Sequence, residues 1–143
     1  MRFSIAVSSL VRFGLTAGCG GGARADVSQL ENTLWVLTSG ADITPSDGIV
    51  PVIYFLENGT ASGWSGCNRF TTQHTIDGGS LSFAETTGTR MACPPRADEI
   101  ESAYLAALGA VASWEIDSEQ LVLSDAHGNE LLRFGVGSTV DEL

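Results

Sequence analysis

Two cysteines, Cys67 and Cys93, constrain the fold of this chain more than any other pair of residues. They lie in the short segments 66–68 and 89–93, whereas the third cysteine, Cys19, lies apart near the N-terminus. One pair plus one separate cysteine is typical of an exported protein, because a reducing compartment would not maintain a disulfide. We therefore predict a disulfide between Cys67 and Cys93. Zinc binding is the alternative, but no nearby histidine supplies the further ligands at finger spacing.

Residues 1–25 resemble an export leader. Arg2 precedes an apolar stretch without acidic residues, and small residues surround Cys19. The stretch 15–19 resembles a bacterial lipobox, in which the cysteine is lipidated and becomes the new N-terminus. Cleavage after Ala25 is the competing interpretation, and a misassigned start is a third. The first two predict a location in the cell envelope, either as an outer membrane lipoprotein facing the periplasm or as a secreted or periplasmic protein.

The net charge of the mature chain limits the classes of partner that we expect it to bind. All 17 acidic residues but only four of the seven basic residues follow Ala25, so the mature chain has a formal charge of about −13. Such a surface repels nucleic acid and anionic lipid head groups, both of which require clustered basic residues. After the leader, no stretch reaches the roughly 20 apolar residues that span a bilayer. We expect no nucleic-acid partner, membrane association through a lipid at Cys19, and a monomer.

Turn signals recur at short intervals along the mature chain and separate segments that favour strands. Asn58-Gly59 is the strongest of these signals, because this dipeptide suits a two-residue hairpin turn. Asp77-Gly78-Gly79 marks a second turn. The pattern predicts a mainly β, α+β domain over residues 27–135, followed by a flexible tail over 136–143. The predicted strands are 33–38, 50–56, 60–65, 69–76, 80–83, 113–116, 120–124 and 130–134.

One helix is predicted after Pro94-Pro95, since proline suits the first turn of a helix. Asp98 and Glu99 complement the positive end of the helix dipole. The apolar residues that follow share one stripe at helical spacing, so the helix should pack across the strands. That stripe consists of Ile100, Tyr104, Leu105, Leu108 and Val111.

The order of several short motifs resembles the META domain family over about Leu30 to Phe134. The resemblance implies a small antiparallel β-barrel-like sheet of about seven or eight strands with one helix packed on it. It also implies a lipoprotein or secreted protein of the bacterial envelope, with no established enzymatic activity and no cofactor. Gly66, Asn68 and Met91 are then residues of a structural motif. The motifs are Asn32–Trp35, Gly66–Phe70, Thr89–Cys93, the helix with Glu101, Tyr104, Ala107 and Leu108, and Leu121–Leu123.

Candidate catalytic and metal sites are weak in this chain. Ser65 lies in a near match to the G-x-S-x-G motif, but Cys67 occupies the last position, and a β region replaces the strand-to-helix turn that the motif needs. His74 and His127 have no cysteine or second histidine beside them. Residues 125–130 cluster oxygen and nitrogen donors but lack the ligand alternation of a calcium loop. We predict no catalytic residue and no metal site.

The favoured hypothesis is therefore a non-enzymatic envelope protein that contributes to envelope maintenance or stress tolerance by binding an unknown envelope protein or small ligand. The alternative is a barrel that carries or sequesters a small molecule, which would need a cavity of roughly 300 Å³ or more among the aromatic side chains. A hydrolase is the weakest hypothesis. It would require Ser65 or His74 to lie within hydrogen-bond reach of an acidic partner in a pocket.

Overall fold

Antiparallel strands form one sheet that closes into a ring, with a helix packed against it. The computed structural model describes residues 26–43 and 48–137, and within them there are nine strands and two helices. The elements are α1 (Val27–Leu30), β1 (Leu34–Gly40), β2 (Val52–Phe55), β3 (Thr60–Trp64), β4 (Arg69–Asp77), β5 (Ser80–Phe83), β6 (Thr87–Gly88), α2 (Pro95–Ala110), β7 (Ser113–Asp117), β8 (Gln120–Ser124) and β9 (Glu130–Val136). The predicted mainly β, barrel-like sheet with a helix packed on it is confirmed.

The longest strand, β4, closes the ring. The strands follow the order β3-β2-β1-β9-β8-β7-β5-β4-β6, and β3 also pairs with β4. The first half of β4 pairs with β3, and residues 74–77 pair with β5. Residues 70 and 71 pair on the other side with β6. Within the described residues, β6 is therefore the one strand that has a partner on a single side.

The hairpin predicted at Asn58-Gly59 is confirmed, since β2 and β3 pair antiparallel on either side of it. Gly59 has a φ of 84°, a left-handed conformation that glycine adopts without steric cost. The Asn58 side chain accepts a hydrogen bond from the backbone N–H of Thr60 at 3.0 Å. The turn at 77–79 likewise joins β4 to β5.

Helix α2 packs against the ring, and its predicted apolar stripe is buried except for Leu105, which is half-buried. Tyr104 has no exposed surface and makes edge contacts with Phe70 of β4 and Phe134 of β9, which lie on different sides of the ring. Its hydroxyl donates to the carbonyl of Val52 at 3.4 Å. Burial raises the pKa of Tyr104 well above its ordinary value, so the ring stays neutral.

The core is filled mainly by inward side chains of the strands. Trp35 is buried, and its indole N–H donates to the carbonyl of Leu30 at 2.9 Å. Trp114 is also buried and bonds to the carbonyl of Gly78 at 2.9 Å. Each buried indole therefore keeps a hydrogen-bond partner while its ring packs in the core.

Three features differ from the sequence-based expectation. Neither the short helix α1 nor the two-residue strand β6 was predicted, because each has too few residues to show a hydrophobic periodicity. Strand β9 continues past Phe134 to Val136, which pairs with Trp35, and the N–H of Gly137 donates to Leu34 at 2.8 Å. The leader with Cys19 and the rest of the predicted tail lie outside the described residues. No helix in the described part of the chain is long and apolar enough to cross a membrane.

Candidate functional site

The Cys67–Cys93 disulfide is present and is the base of the candidate site. The two Cα atoms lie 6.0 Å apart, within the usual range for a disulfide. Cys67 follows β3 and is 2% exposed, whereas Cys93 comes two residues before α2 and is half-buried. The bond therefore ties the β3–β4 turn to the start of the helix. Because both sulfurs are in this bond, neither is a thiolate available to zinc.

Gly66 lets the turn approach the helix. Its φ of 104° is in the region that side chains rarely adopt. A Cβ atom at this position would lie 2.9 Å from Cγ2 of Ile100 on α2 and 3.1 Å from Cγ2 of Ile49. Both the backbone conformation and the space around it therefore require glycine.

Asn68 joins the turn, the segment 89–91 and the helix. Its side chain is 5% exposed. The carbonyl Oδ1 accepts hydrogen bonds from the N–H of Met91 at 2.7 Å and from the hydroxyl of Thr89 at 3.0 Å. The amide Nδ2 donates to Oε2 of Glu101 at 3.1 Å. Met91 takes part through its backbone, while its side chain is 53% exposed.

Ser65 lies beside an acidic partner, Glu101. The Ser65 hydroxyl is 2.7 Å from Oε1 of Glu101 and 2.9 Å from the carbonyl of Asn68, and it accepts the N–H of Asn68 at 3.0 Å. This contact is the one that a hydrolase would require. However, Ser65 has no exposed surface, so a substrate could not reach its hydroxyl, and no imidazole is among its hydrogen-bond partners. The geometry therefore shows a buried turn that is bonded to the helix.

A groove of about 630 Å³ lies next to this network, between β6 with the following segment and α2. Its floor is formed by Asn68, Arg69 and Phe70. One wall is the stretch 86–92, which is exposed except for the half-buried Thr86. The opposite wall is a stripe of α2 with spacings of three and four residues, which share one helix face. That stripe consists of Asp98, Glu101 and Leu105.

The helix wall of the groove is acidic. One carboxylate oxygen of Asp98, one of Glu101 and the sulfur of Cys67 lie within 4.8 Å of one another. Among the described residues, Arg133–Glu130 is the one ion pair, so neither groove carboxylate pairs with a basic side chain there. The wall is thus a place where a positive charge would be favoured.

The remaining sequence candidates lie elsewhere. His127 is exposed on the β8–β9 turn, where its N–H donates to Asp125 at 2.9 Å. Asp125 also accepts two hydrogen bonds from Asn129, and these backbone and side-chain bonds lower its pKa. The donors of residues 125–130 therefore order a hairpin turn.

His74 is buried on the inner face of β4 against Phe55, with ring centroids 5.2 Å apart. Its Nδ1 has no hydrogen-bond partner among the described residues. Burial lowers the pKa of His74 below 6.5, and the nearby Glu31 partly opposes that shift. The unfolded chain therefore binds a proton at His74 more readily than the folded protein does.

We expect this histidine to make the protein less stable in mild acid. Stability should be fully present above about pH 6.5 and should fall as the pH drops through the folded pKa of His74. His74→Phe, which keeps an aromatic ring against Phe55, should remove that slope. Urea unfolding at several pH values from 7.5 to 5 measures it, with His127→Gln as the control. An unchanged slope in His74→Phe would contradict the assignment.

The groove was not predicted from the sequence, although part of its signal was visible. Asp98 and Glu101 precede Leu105 of the predicted apolar stripe at spacings of three and four residues, which places a mixed acidic and apolar edge along the helix. The other wall has no such signal, because the short strand at 87–88 is defined only by its pairing with β4.

The fold and the site define a small closed antiparallel barrel that is covered by one helix and organised around a disulfide-linked turn. The chain belongs to the META domain family, whose model matches residues 28–137. No curated protein matches the sequence.

Several solved structures are similar to this chain. An NMR structure of a protein from Burkholderia xenovorans is 31% identical, with a TM-score of 0.62, and the match covers 78% of this chain and 86% of that chain. A second NMR structure is 30% identical, with a TM-score of 0.59 and coverage of 76% and 93%. The crystal structure of a DUF4847 family protein from Bacteroides vulgatus is 14% identical, with a TM-score of 0.58 and coverage of 77% and 96%, and it shows the fold alone.

Proposed function

We propose that this META domain protein is a non-catalytic protein of the bacterial envelope that binds another envelope protein in the groove between β6 and α2. It would thereby contribute to envelope maintenance or stress tolerance. The observation that carries the proposal is the groove of about 630 Å³, one wall of which contains the edge of β6 that is unpaired among the described strands. Its walls are tied together by the disulfide and by Asn68.

The envelope location is supported by the disulfide and by the lipobox-like stretch that ends at Cys19. A binding role is favoured over catalysis because Ser65 is buried and fully engaged in hydrogen bonds. The small-molecule carrier gains no support from the barrel interior. There Phe55 packs against Phe83, and Tyr104 packs against Phe134.

One experiment in bacterial cells tests both the binding and the location. A photo-cross-linking amino acid replaces Met91, whose side chain is 53% exposed at the groove. The same amino acid at Asp77, an exposed position on β4 outside the groove, serves as the control. We expect a discrete envelope adduct from position 91 and none from position 77. Equal adducts from both positions, or none from either, would contradict binding at the groove.

Fractionation of the same cells tests the tether. The full chain should partition with membranes, and Cys19→Ala should move it to the soluble fraction, because a lipid anchor requires the cysteine. Unchanged membrane partitioning of Cys19→Ala would contradict the lipid tether. A soluble parent protein would instead favour cleavage after Ala25.

A further inference from the structure

We infer that the groove binds an extended peptide segment that adds as a strand to the free edge of β6 and places a basic side chain against Asp98 and Glu101. This inference rests on the proposed function and names the chemical class of the partner.

The backbone of β6 offers unused hydrogen-bonding groups. Gly88 is paired opposite Phe70, and the neighbouring Thr89 donates its N–H to the carbonyl of Arg69 at 3.1 Å. In an antiparallel pair, bonded and non-bonded residues alternate, so the N–H and C=O of Gly88 point away from β4. Gly88 is exposed, and β6 has no second neighbour among the described strands. A peptide backbone can use such an edge for strand addition.

The dimensions of the two walls agree with an extended peptide. From Asp98 to Leu105 the helix wall rises about 10 Å, at 1.5 Å per residue. Three residues of an extended strand span a similar length, at about 3.3 Å per residue. The part of the opposite wall that contains β6, residues 86–88, also has three residues. The length of a three-residue extended segment therefore matches the length of the helix wall.

The groove also indicates which side chains the peptide should have. Asp98 and Glu101 lie close together on the helix wall without an ion-pair partner in the described part of the chain, whereas the basic side chains of the groove, Arg69 and Arg90, belong to its floor and its opposite wall. Oε1 of Glu101 accepts one hydrogen bond from Ser65 and Oε2 accepts one from Asn68, and the remaining lone pairs of the carboxylate can accept a cation. Phe70, Leu105 and the exposed Met91 provide apolar contacts. An alternation of basic and apolar residues therefore fits, because alternate side chains of a strand point to opposite faces.

The test uses the oxidised protein and a blocked hexapeptide of alternating valine and lysine, followed by NMR titration of backbone amides. We expect saturable shifts at residues 86–88 and on the groove face of α2. Asp98→Asn should weaken binding about tenfold, the loss expected for a charge-assisted hydrogen bond. Asp77→Asn removes the same charge from an exposed site outside the groove and should leave the affinity unchanged.

Two further probes separate strand addition from other kinds of binding. The same peptide with methylated backbone nitrogens should bind at least about tenfold more weakly, because it cannot donate to the strand edge. A valine and glutamate hexapeptide should bind at least about tenfold more weakly, because its carboxylates would repel Asp98 and Glu101 on the helix wall. Equal binding of the methylated peptide, or equal weakening by Asp98→Asn and Asp77→Asn, would overturn the inference. Calcium chloride that shifts residues 98 and 101, with no binding of the peptide, would also overturn it and would assign the carboxylates to a metal.

The outcome is distinguishable from a failure of the proposed function. If the hexapeptide does not bind but position 91 still cross-links to an envelope protein in cells, only the class of partner is wrong. If both experiments fail, the groove is not a protein-binding site.

Discussion

Removal of the Cys67–Cys93 disulfide should lower the free energy of unfolding by about 3–4 kcal/mol. In the chain-entropy model, a closed loop with a sequence separation of 26 residues contributes about this amount, because the crosslink restricts the unfolded chain. This is a large share of the stability of a small domain. Urea unfolding of the Cys67→Ser/Cys93→Ser double variant measures it, and the midpoint should fall by about 1–4 M.

The same experiment has two controls. The parent protein after reduction should behave like the double variant, and freshly purified oxidised protein should contain no titratable thiol at Cys67 or Cys93. A replacement of the exposed Ser82 by alanine, in β5, should leave the midpoint almost unchanged. An unchanged midpoint in the double variant would show that the disulfide contributes little.

Asn68→Ala should be the most damaging single change in the hydrogen-bond network, with a loss of about 2–4 kcal/mol. The substitution leaves the N–H of Met91 and the Glu101 carboxylate without their buried partner. Asn129→Ala is the matched control, because that amide bonds to Asp125 on an exposed turn, and it should cost less than about 1 kcal/mol. Equal losses at the two positions would contradict the network.

Asn68→Asp adds a test of the electrostatics at nearly constant shape. It replaces the amide that donates to Glu101 at 3.1 Å with a second carboxylate. Two close carboxylates repel, so one of them should have a raised pKa in the folded state. Stability should then be retained in acid and lost as the pH rises above about 4, where both groups ionise in the unfolded chain. Chemical unfolding at pH 3.5 and pH 7 measures the difference, and a pH-independent loss would contradict the repulsion.

Much of the fold could be predicted because its signals are local. The turn at Asn58-Gly59 and the stripe through Ile100, Tyr104 and Leu108 each lie within one short segment, and the structure places them as expected. Closure of the ring depends on β4, which pairs with three neighbours. No residue of β4 by itself indicates that this strand pairs with more than two other strands.

The site was harder to predict because its contacts join distant segments. Glu101 bonds to Ser65 and to Asn68 across 36 and 33 residues, and this depends on how the helix docks on the turn. The motifs of the family resemblance included the cysteines, Gly66, Asn68 and a helix with Glu101, but they did not indicate that Glu101 bonds to Ser65 and Asn68. Similarly, β6 consists of Thr87 and Gly88, which have no strand period of their own.

Closure of the sheet into a ring limits the self-association of the protein. Open sheet borders invite uncontrolled self-association, and in the described part of this chain the border left open is only two residues long. Any side chain at Gly88 would also press on the carbonyl of Arg69, so this border stays bare as well as short. A long strand of another molecule would form few backbone hydrogen bonds with this two-residue edge, whereas a short extended segment could still pair with it beside α2.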